Sequence, residues 1–222
     1  MEEVSNMMPR GRLGLAREGY PFMGISLVLS AIGYWVYWPV GLAFTLAFLF
    51  CVYFFRDPKR VAPEDSRLLL SPADGTVLKV EDLEASPIYP QPHKKISVFM
   101  SALNVHVNRI PCDGVITDIK YHAGKFFVAS LDKASLHNER NTVVMETPQN
   151  KRVAFTQIAG LVARRIVCYL EKGRTVRRGE RYGLIRFGSR MEVSLPKEWT
   201  VLVEVGQKIQ GVKTPLAKMS DS

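Results

Sequence analysis

Residues 21–55 contain no Asp, Glu, Lys or Arg. A run of about 35 uncharged residues is too long for one membrane-spanning helix, which needs roughly 20, and long enough for two short ones. Its middle holds Tyr34, Trp35, Tyr37, Trp38, Pro39 and Gly41. Trp and Tyr favour the membrane–water boundary, and Pro with Gly permits a turn. The pattern predicts two helices, at about 21–36 and 39–55, joined as a hairpin. Arg10, Arg12 and Arg17 precede it, and Arg56, Lys59 and Arg60 follow it. Basic flanks stay on the cytoplasmic side, so both ends are expected there and the tip outside. A cleaved secretory signal would need a short apolar stretch with a small-residue cleavage site, and neither is evident. A buried hairpin of a soluble domain is the other reading. A shallow hairpin that does not fully cross stays open.

A chain of 222 residues has room for one core besides such an anchor. The expected organisation is an N-terminal cytoplasmic segment (1–20), a membrane hairpin (21–55) and one catalytic-size domain (56–222). Beyond Pro63 the sequence reads as β, with short Val- and Ile-rich runs broken by Gly, Pro and Asn. Strands are expected at about 76–80, 96–100, 115–121, 142–146, 153–158, 165–170, 183–187 and 192–195. Pro148-Gln149-Asn150 reads as a hairpin turn. The fold class is therefore mainly β: a compact antiparallel sandwich or partly closed barrel after a hydrophobic helical hairpin.

Net charge is +9. That balance calls for an anionic partner: nucleic acid, anionic lipid or an acidic substrate. No helix-turn-helix or zinc-finger spacing appears, and aromatics do not interleave with the basic runs, which argues against nucleic acid. The three cysteines, Cys51, Cys112 and Cys168, are scattered and odd in number. They suggest neither a disulfide framework nor a metal site, and a reducing compartment is the simplest fit.

Gly188-Ser189 lies between two strand-like runs. Gly with Ser commonly marks a turn. The same step is also where a chain can cut itself. The Ser hydroxyl attacks the preceding Gly carbonyl, the amide becomes an ester, and β-elimination leaves a dehydroalanine that hydrolyses to a pyruvoyl group. Glycine tolerates the twisted backbone this attack needs.

Several further pieces stand in order along the chain. Phe55-Arg56-Asp57-Pro58-Lys59-Arg60 follows the hydrophobic run. Then come Ser71-Pro72-Ala73-Asp74-Gly75, Asn104-Val105-His106-Val107-Asn108-Arg109-Ile110-Pro111, Tyr121-His122-Ala123-Gly124-Lys125-Phe126 and Asn138-Glu139-Arg140-Asn141. With the Gly-Ser step, these resemble the short (type A), pyruvoyl-dependent form of the phosphatidylserine decarboxylases, from Phe54 to about Leu195. Two features depart from better-known members. Arg190 follows the serine where they have Ser or Thr, and Arg109 stands where they have a second histidine.

The resemblance implies a β-rich membrane enzyme, made as a zymogen and self-cleaved between Gly188 and Ser189. Its two fragments stay together as a heterodimer, and homo-oligomerisation is left open. The cofactor it implies is a covalent pyruvoyl group derived from Ser189. The substrate amine condenses with that ketone, the adjacent carbonyl accepts the electrons as carbon dioxide leaves, and phosphatidylethanolamine results. The substrate is a phospholipid in an anionic membrane, which places the enzyme at the cell membrane with its catalytic domain facing the cytoplasm. Ser189, Asp74 and His106 are the catalytic residues carried over, by the logic in which an Asp orients a His that activates a Ser. His106 is also the best titrating candidate on chemical grounds, against the alternative of a structural histidine at a strand end. Turn chemistry alone would account for Asp74 before Gly75. His122 reads as structural; His93 and His137 sit among polar loop residues and read as solvated. Arg109, Arg140 and Arg190 could hold the substrate phosphate or carboxylate, or be solvated or structural.

Three other readings compete, one of them a membrane-anchored domain that only binds anionic lipid through its basic face and leaves Gly188-Ser189 uncut. Archaetidylserine, an ether lipid with the same serine headgroup, would present the same reacting atoms. In a different class, Leu131-Asp132-Lys133-Ala134 is similar to the modified hairpin of lipoyl carrier domains, with Lys133 as acceptor.

Overall fold

The computed structural model describes residues 11–86, 88–127, 129, 137–161, 165–186 and 189–220. The chain divides into two compact units, Pro9–Lys59 and Arg60–Ser222.

The first unit is a pair of helices, α1 (Tyr20–Val36) and α2 (Trp38–Phe54). Tyr37 between them is extended, and its N–H closes α1 on the Gly33 carbonyl at 2.7 Å. Pro39 sits in the first turn of α2, where a missing N–H costs nothing. The helices meet at glycines. A Cβ on Gly33 would stand 2.6 Å from the Gly41 nitrogen, so only glycine allows this approach. Ser30 and Thr45 add a hydroxyl–hydroxyl hydrogen bond of 2.7 Å across the pair, one donating to the other, and both oxygens lie within hydrogen-bond reach of the Gly41 carbonyl, at 3.2 and 3.0 Å. Small residues and hydroxyl bonds are the means by which helices associate without a hydrophobic drive. The outward faces are apolar, with Trp35 88% exposed. The stretch Arg17–Val36 is long and apolar enough to cross a membrane by length and composition, and Trp38–Phe54 is a shorter apolar helix.

Among the described residues the second unit carries fourteen strands in chain order. They are β1 (Leu68–Leu70), β2 (Gly75–Leu83), β3 (His93–Met100), β4 (Val107–Arg109), β5 (Gly114–His122), β6 (Arg140–Glu146) and β7 (Arg152–Ala159). There follow β8 (Ile166–Cys168), β9 (Thr175–Val176), β10 (Arg181–Ile185), β11 (Ser189–Pro196), β12 (Thr200–Val201), β13 (Lys208–Ile209) and β14 (Pro215–Lys218). One antiparallel sheet of eight strands runs β13-β2-β3-β11-β7-β6-β5-β9; two three-stranded sheets, β4-β10-β8 and β1-β14-β12, accompany it. This is the expected mainly-β class with a helical pair ahead of it.

Side chains alternate along each strand, so one face of the large sheet collects the apolar residues. Ile96, Val98 and Met100 of β3, Met191, Val193 and Leu195 of β11, and Val153 and Phe155 of β7 all belong to one buried core. Strand β10 supplies Tyr182 and Ile185 to the same core and Cys168 of β8 packs against it, and the Tyr182 ring meets Phe155 edge-on at 5.1 Å. Gly183 makes this layer possible: a Cβ there would stand 2.0 Å from the Val167 carbonyl oxygen.

All eight expected strands exist, most of them longer than their apolar runs. Strands β1, β4, β9, β12, β13 and β14 were not anticipated. Each spans two to four residues, too few to display alternation. The turn at 148–150 is present, closed by Thr147 and Lys151, with Asn150 at φ 56.

Candidate active site

Ser189 is not in a turn. It is the first residue of β11, fully buried and hydrogen-bonded into the sheet between Met100 of β3 and Ala159 of β7. This corrects the expectation of a strand starting only at residue 192. By alternation with Met191, its side chain lies on the core face. There its hydroxyl donates to the Met100 sulfur at 3.3 Å. A thioether is a weak acceptor, so the hydroxyl is lightly held and can turn to another partner. Gly188 lies outside the described residues, and so does Lys133.

A chain of buried amides leads away from the same sulfur. Asn108 of β4 donates to Met100 Sδ at 3.9 Å, Gln157 Nε2 donates to Asn108 Oδ1 at 2.9 Å, and Asn141 Nδ2 reaches Gln157 Oε1 at 3.4 Å. These amides tie β4, β6 and β7 together behind Ser189.

His106 stands two residues before Asn108 and is 2% exposed. Its Nδ1 is 2.9 Å from the Asn104 carbonyl oxygen. That contact sets the ring's orientation from the Nδ1 side. The turn at 101–104 leads from Met100, Ser189's own partner, to His106.

Asp74 also belongs to this end of the large sheet. Thr76 pairs with Phe99 and Ser189 with Met100, so Gly75 stands one strand beyond Met100 from Ser189. Two strand spacings put the backbones roughly 10 Å apart. The Asp74 carboxylate is buried. It accepts from Arg60 Nη1 and from the Gly211 N–H at Oδ1, and from Arg60 Nη2 at Oδ2 at 2.6 Å. Its hydrogen bonds thus go to Arg60 and Gly211, and His106 is oriented by a backbone carbonyl. Gly75 is in β2 rather than in a turn, and it is glycine because a Cβ would lie 2.2 Å from the Phe99 carbonyl oxygen. Sequence reading gave Arg60 no part in the site; it counted only as a basic flank of the hairpin and as the end of the Phe55–Arg60 motif.

The arginines divide. Arg190, one residue past Ser189, points to the opposite face of the sheet and is 2% exposed. Its Nη2 donates to Ser97 Oγ at 2.8 Å and pairs with Glu192 at 3.0 Å. That is a structural placement, away from the serine. Arg109 is buried in β4 and donates to the Gly179 carbonyl at 3.2 Å. Arg140 is half-buried at the start of β6, in register with Ile158, the β7 partner of Arg190.

His93 is buried, not solvated. It stacks on Tyr89 with ring centroids 4.5 Å apart, and its Nδ1 contacts the Gln91 carbonyl. His137 is exposed. The three cysteines are free thiols. Burial pushes the Cys112 thiol well up. Burial also raises Cys168, partly opposed by hydrogen bonds with Leu170 and Asn141. The Asn138 amide was quoted only within a motif, yet it organises this end of the sheet. It accepts from Phe127 N–H at 2.8 Å and donates to Phe127 O at 2.9 Å and to Ala159 O at 2.7 Å.

The sequence model of the family described as phosphatidylserine decarboxylase matches residues 47–217. Similar proteins come from several bacteria, each named phosphatidylserine decarboxylase proenzyme. The one from Magnetococcus marinus is 44% identical over 209 residues, covering 92% of this chain and 95% of its own. That from Syntrophus aciditrophicus is 46% identical over 205 residues, covering 91% and 96%. That from Solidesulfovibrio magneticus is 45% identical over 209 residues, covering 94% and 97%.

Proposed function

This chain belongs to the phosphatidylserine decarboxylase family, and we propose that it is a self-cleaving decarboxylase that turns phosphatidylserine into phosphatidylethanolamine and carbon dioxide. One observation carries the reading. Relatives bearing that proenzyme name match across more than nine tenths of both chains, so the entire domain is shared.

Self-cleavage falls to Ser189. Its Oγ adds to the Gly188 carbonyl carbon and gives its proton to a base. The Ser189 nitrogen leaves protonated, and an ester joins the two halves. Loss of the Ser189 α-proton then expels the Gly188 carboxylate and leaves a dehydroalanine. Water converts this to a pyruvoyl group with release of ammonia. The site suits the conversion: among the described residues the hydroxyl is held only by a thioether, and the new terminus stays pinned between Met100 and Ala159. A pyruvoyl group at this position supplies a carbonyl that draws electrons from the carbon losing its carboxylate. His106 is the group that moves protons. Asp74 stabilises positive charge as the serine is activated. An anionic group of the lipid is met by an arginine among Arg109, Arg140 and Arg190; register puts Arg140 on the face that Arg190 occupies rather than on the serine's.

The two helices anchor the chain in the cell membrane with both flanks in the cytoplasm. Their exposed apolar surfaces and the basic residues on either side support this. Each Lys or Arg close to an anionic membrane contributes roughly 1 kcal/mol to attraction.

The test uses purified chain in detergent micelles with carboxyl-labelled phosphatidylserine. Mass spectrometry should find two fragments divided at Gly188–Ser189, and labelled carbon dioxide should be released with chelator present. Ser189→Ala should remain one chain and release none. Activity from a single uncut chain, or release from free serine but not from this lipid, would sink the reading.

A further inference from the structure

The Phe55–Arg60 motif has no task in the chemistry above, yet its last residue makes the most highly bonded contact at the site. Arg60 is the first residue of the β unit, and its side chain is only 7% exposed. Its guanidinium meets Asp74 as a two-pronged fork, Nη1 to Oδ1 and Nη2 to Oδ2. Nη1 also donates to the Gly211 carbonyl at 2.6 Å, while the Gly211 N–H donates to Asp74 Oδ1 at 2.7 Å. The contacts close a ring that joins Arg60 and Asp74 to Gly211, which is more than 130 residues from either in sequence.

We infer that Arg60 is the positioning residue for Asp74 in self-cleavage, holding the carboxylate so that one acceptor position, on Oδ2, is left for the reaction. A carboxylate has about four lone-pair sites, two on each oxygen. Oδ1 uses both, on Arg60 and Gly211. Among the described residues Oδ2 uses one, on Arg60. The fork also fixes the carboxylate plane, because two parallel bonds prevent rotation where one would not. Lysine could bring the charge but not the plane. The free position of Oδ2 is therefore aimed by Arg60. This inference rests on the proposed part of Asp74 in self-cleavage. Arg60 acts through Asp74 and need not touch the reacting atoms.

The experiment follows conversion of the full-length chain into its two fragments by intact mass, with melting temperature measured alongside. Arg60→Gln should slow conversion by about tenfold or more, the range expected for losing charge-assisted hydrogen bonds. Arg60→Lys should fall between Arg60→Gln and the parent. Millimolar methylguanidinium should speed conversion of Arg60→Ala and leave Asp74→Asn unchanged, since it refills the fork only where a carboxylate waits. A folded Arg60→Gln that converts at the parent rate would overturn the inference. So would an Arg60→Ala chain that methylguanidinium does not accelerate, with rates that simply follow melting temperature. Should Arg60→Gln fail to fold, Arg60→Lys carries the test: a parental rate refutes, and slowed conversion at a near-parental melting temperature supports. A parent chain that is never cut would instead refute self-cleavage itself. Normal conversion of Asp74→Asn would refute the role of Asp74.

Discussion

Asn138 offers a test of how β7, the strand paired beside Ser189, is held. Its side chain is fully buried and makes three hydrogen bonds, two to the Phe127 backbone and one to the Ala159 carbonyl. Ala159 is the β7 partner of Ser189. Asn138→Ala removes all three bonds and strands the buried Ala159 oxygen on that side. Each lost bond is worth about 1 kcal/mol, and a stranded buried group costs about 1–3 kcal/mol. Groups on half-exposed Phe127 regain water, so the net expectation is a loss of about 2–4 kcal/mol. For a domain of this size, 1 kcal/mol corresponds to about 2–4 °C, which places the drop in melting temperature on the order of 5–15 °C. Asn138→Asp should be worse at neutral pH. It keeps the acceptor for Phe127 N–H, but turns a buried carboxylate toward two carbonyl oxygens that had been receiving N–H bonds. The measurement is thermal melting by near-ultraviolet circular dichroism in a Ser189→Ala background, where the chain stays whole. In the parent background, Asn138→Ala should also slow conversion to fragments. An alanine variant melting within about 1 °C of its parent would refute the reasoning, because changes that small imply well under 1 kcal/mol. Equal stability of the alanine and aspartate variants at neutral pH would refute it too.

Three other outcomes are expected. Asp74→Asn should slow or stop self-cleavage, because an amide keeps the shape but not the charge, and its NH2 would confront the Arg60 fork; normal conversion, timed on denaturing gels, would contradict this. In intact cells, a Trp38→Cys site should be labelled from outside and a Ser66→Cys site should not, with external labelling at Ser66→Cys reversing the orientation. Gly183→Ala should destabilise the β unit by about 1–3 kcal/mol through overpacking, since its Cβ would meet a backbone oxygen at 2.0 Å; a melting temperature equal to the parent's would show that β8 and β10 separate freely.

The sequence by itself determined the class of the fold and its division. An uncharged run interrupted at Tyr37–Pro39 can form only apolar helices with a break between them, and the observed helices end and begin on either side of Tyr37. Strands long enough to alternate were legible because one face must be apolar. The ordered motifs pointed to the family before any coordinate. Side-chain employment was not legible, because it depends on segments far apart in sequence. Arg60 finds Asp74 and Gly211 only after β2 and β13 pair. Ser189 and Arg190 are neighbours in the chain, yet the pleat turns one toward the core and the other toward Glu192 on the far face. His93 looked solvated among polar residues until Tyr89 packed over it. Local pattern records which residues prefer burial; only the register of the sheet decides which of them meet, because partners across strands are chosen by pairing and not by proximity in the chain.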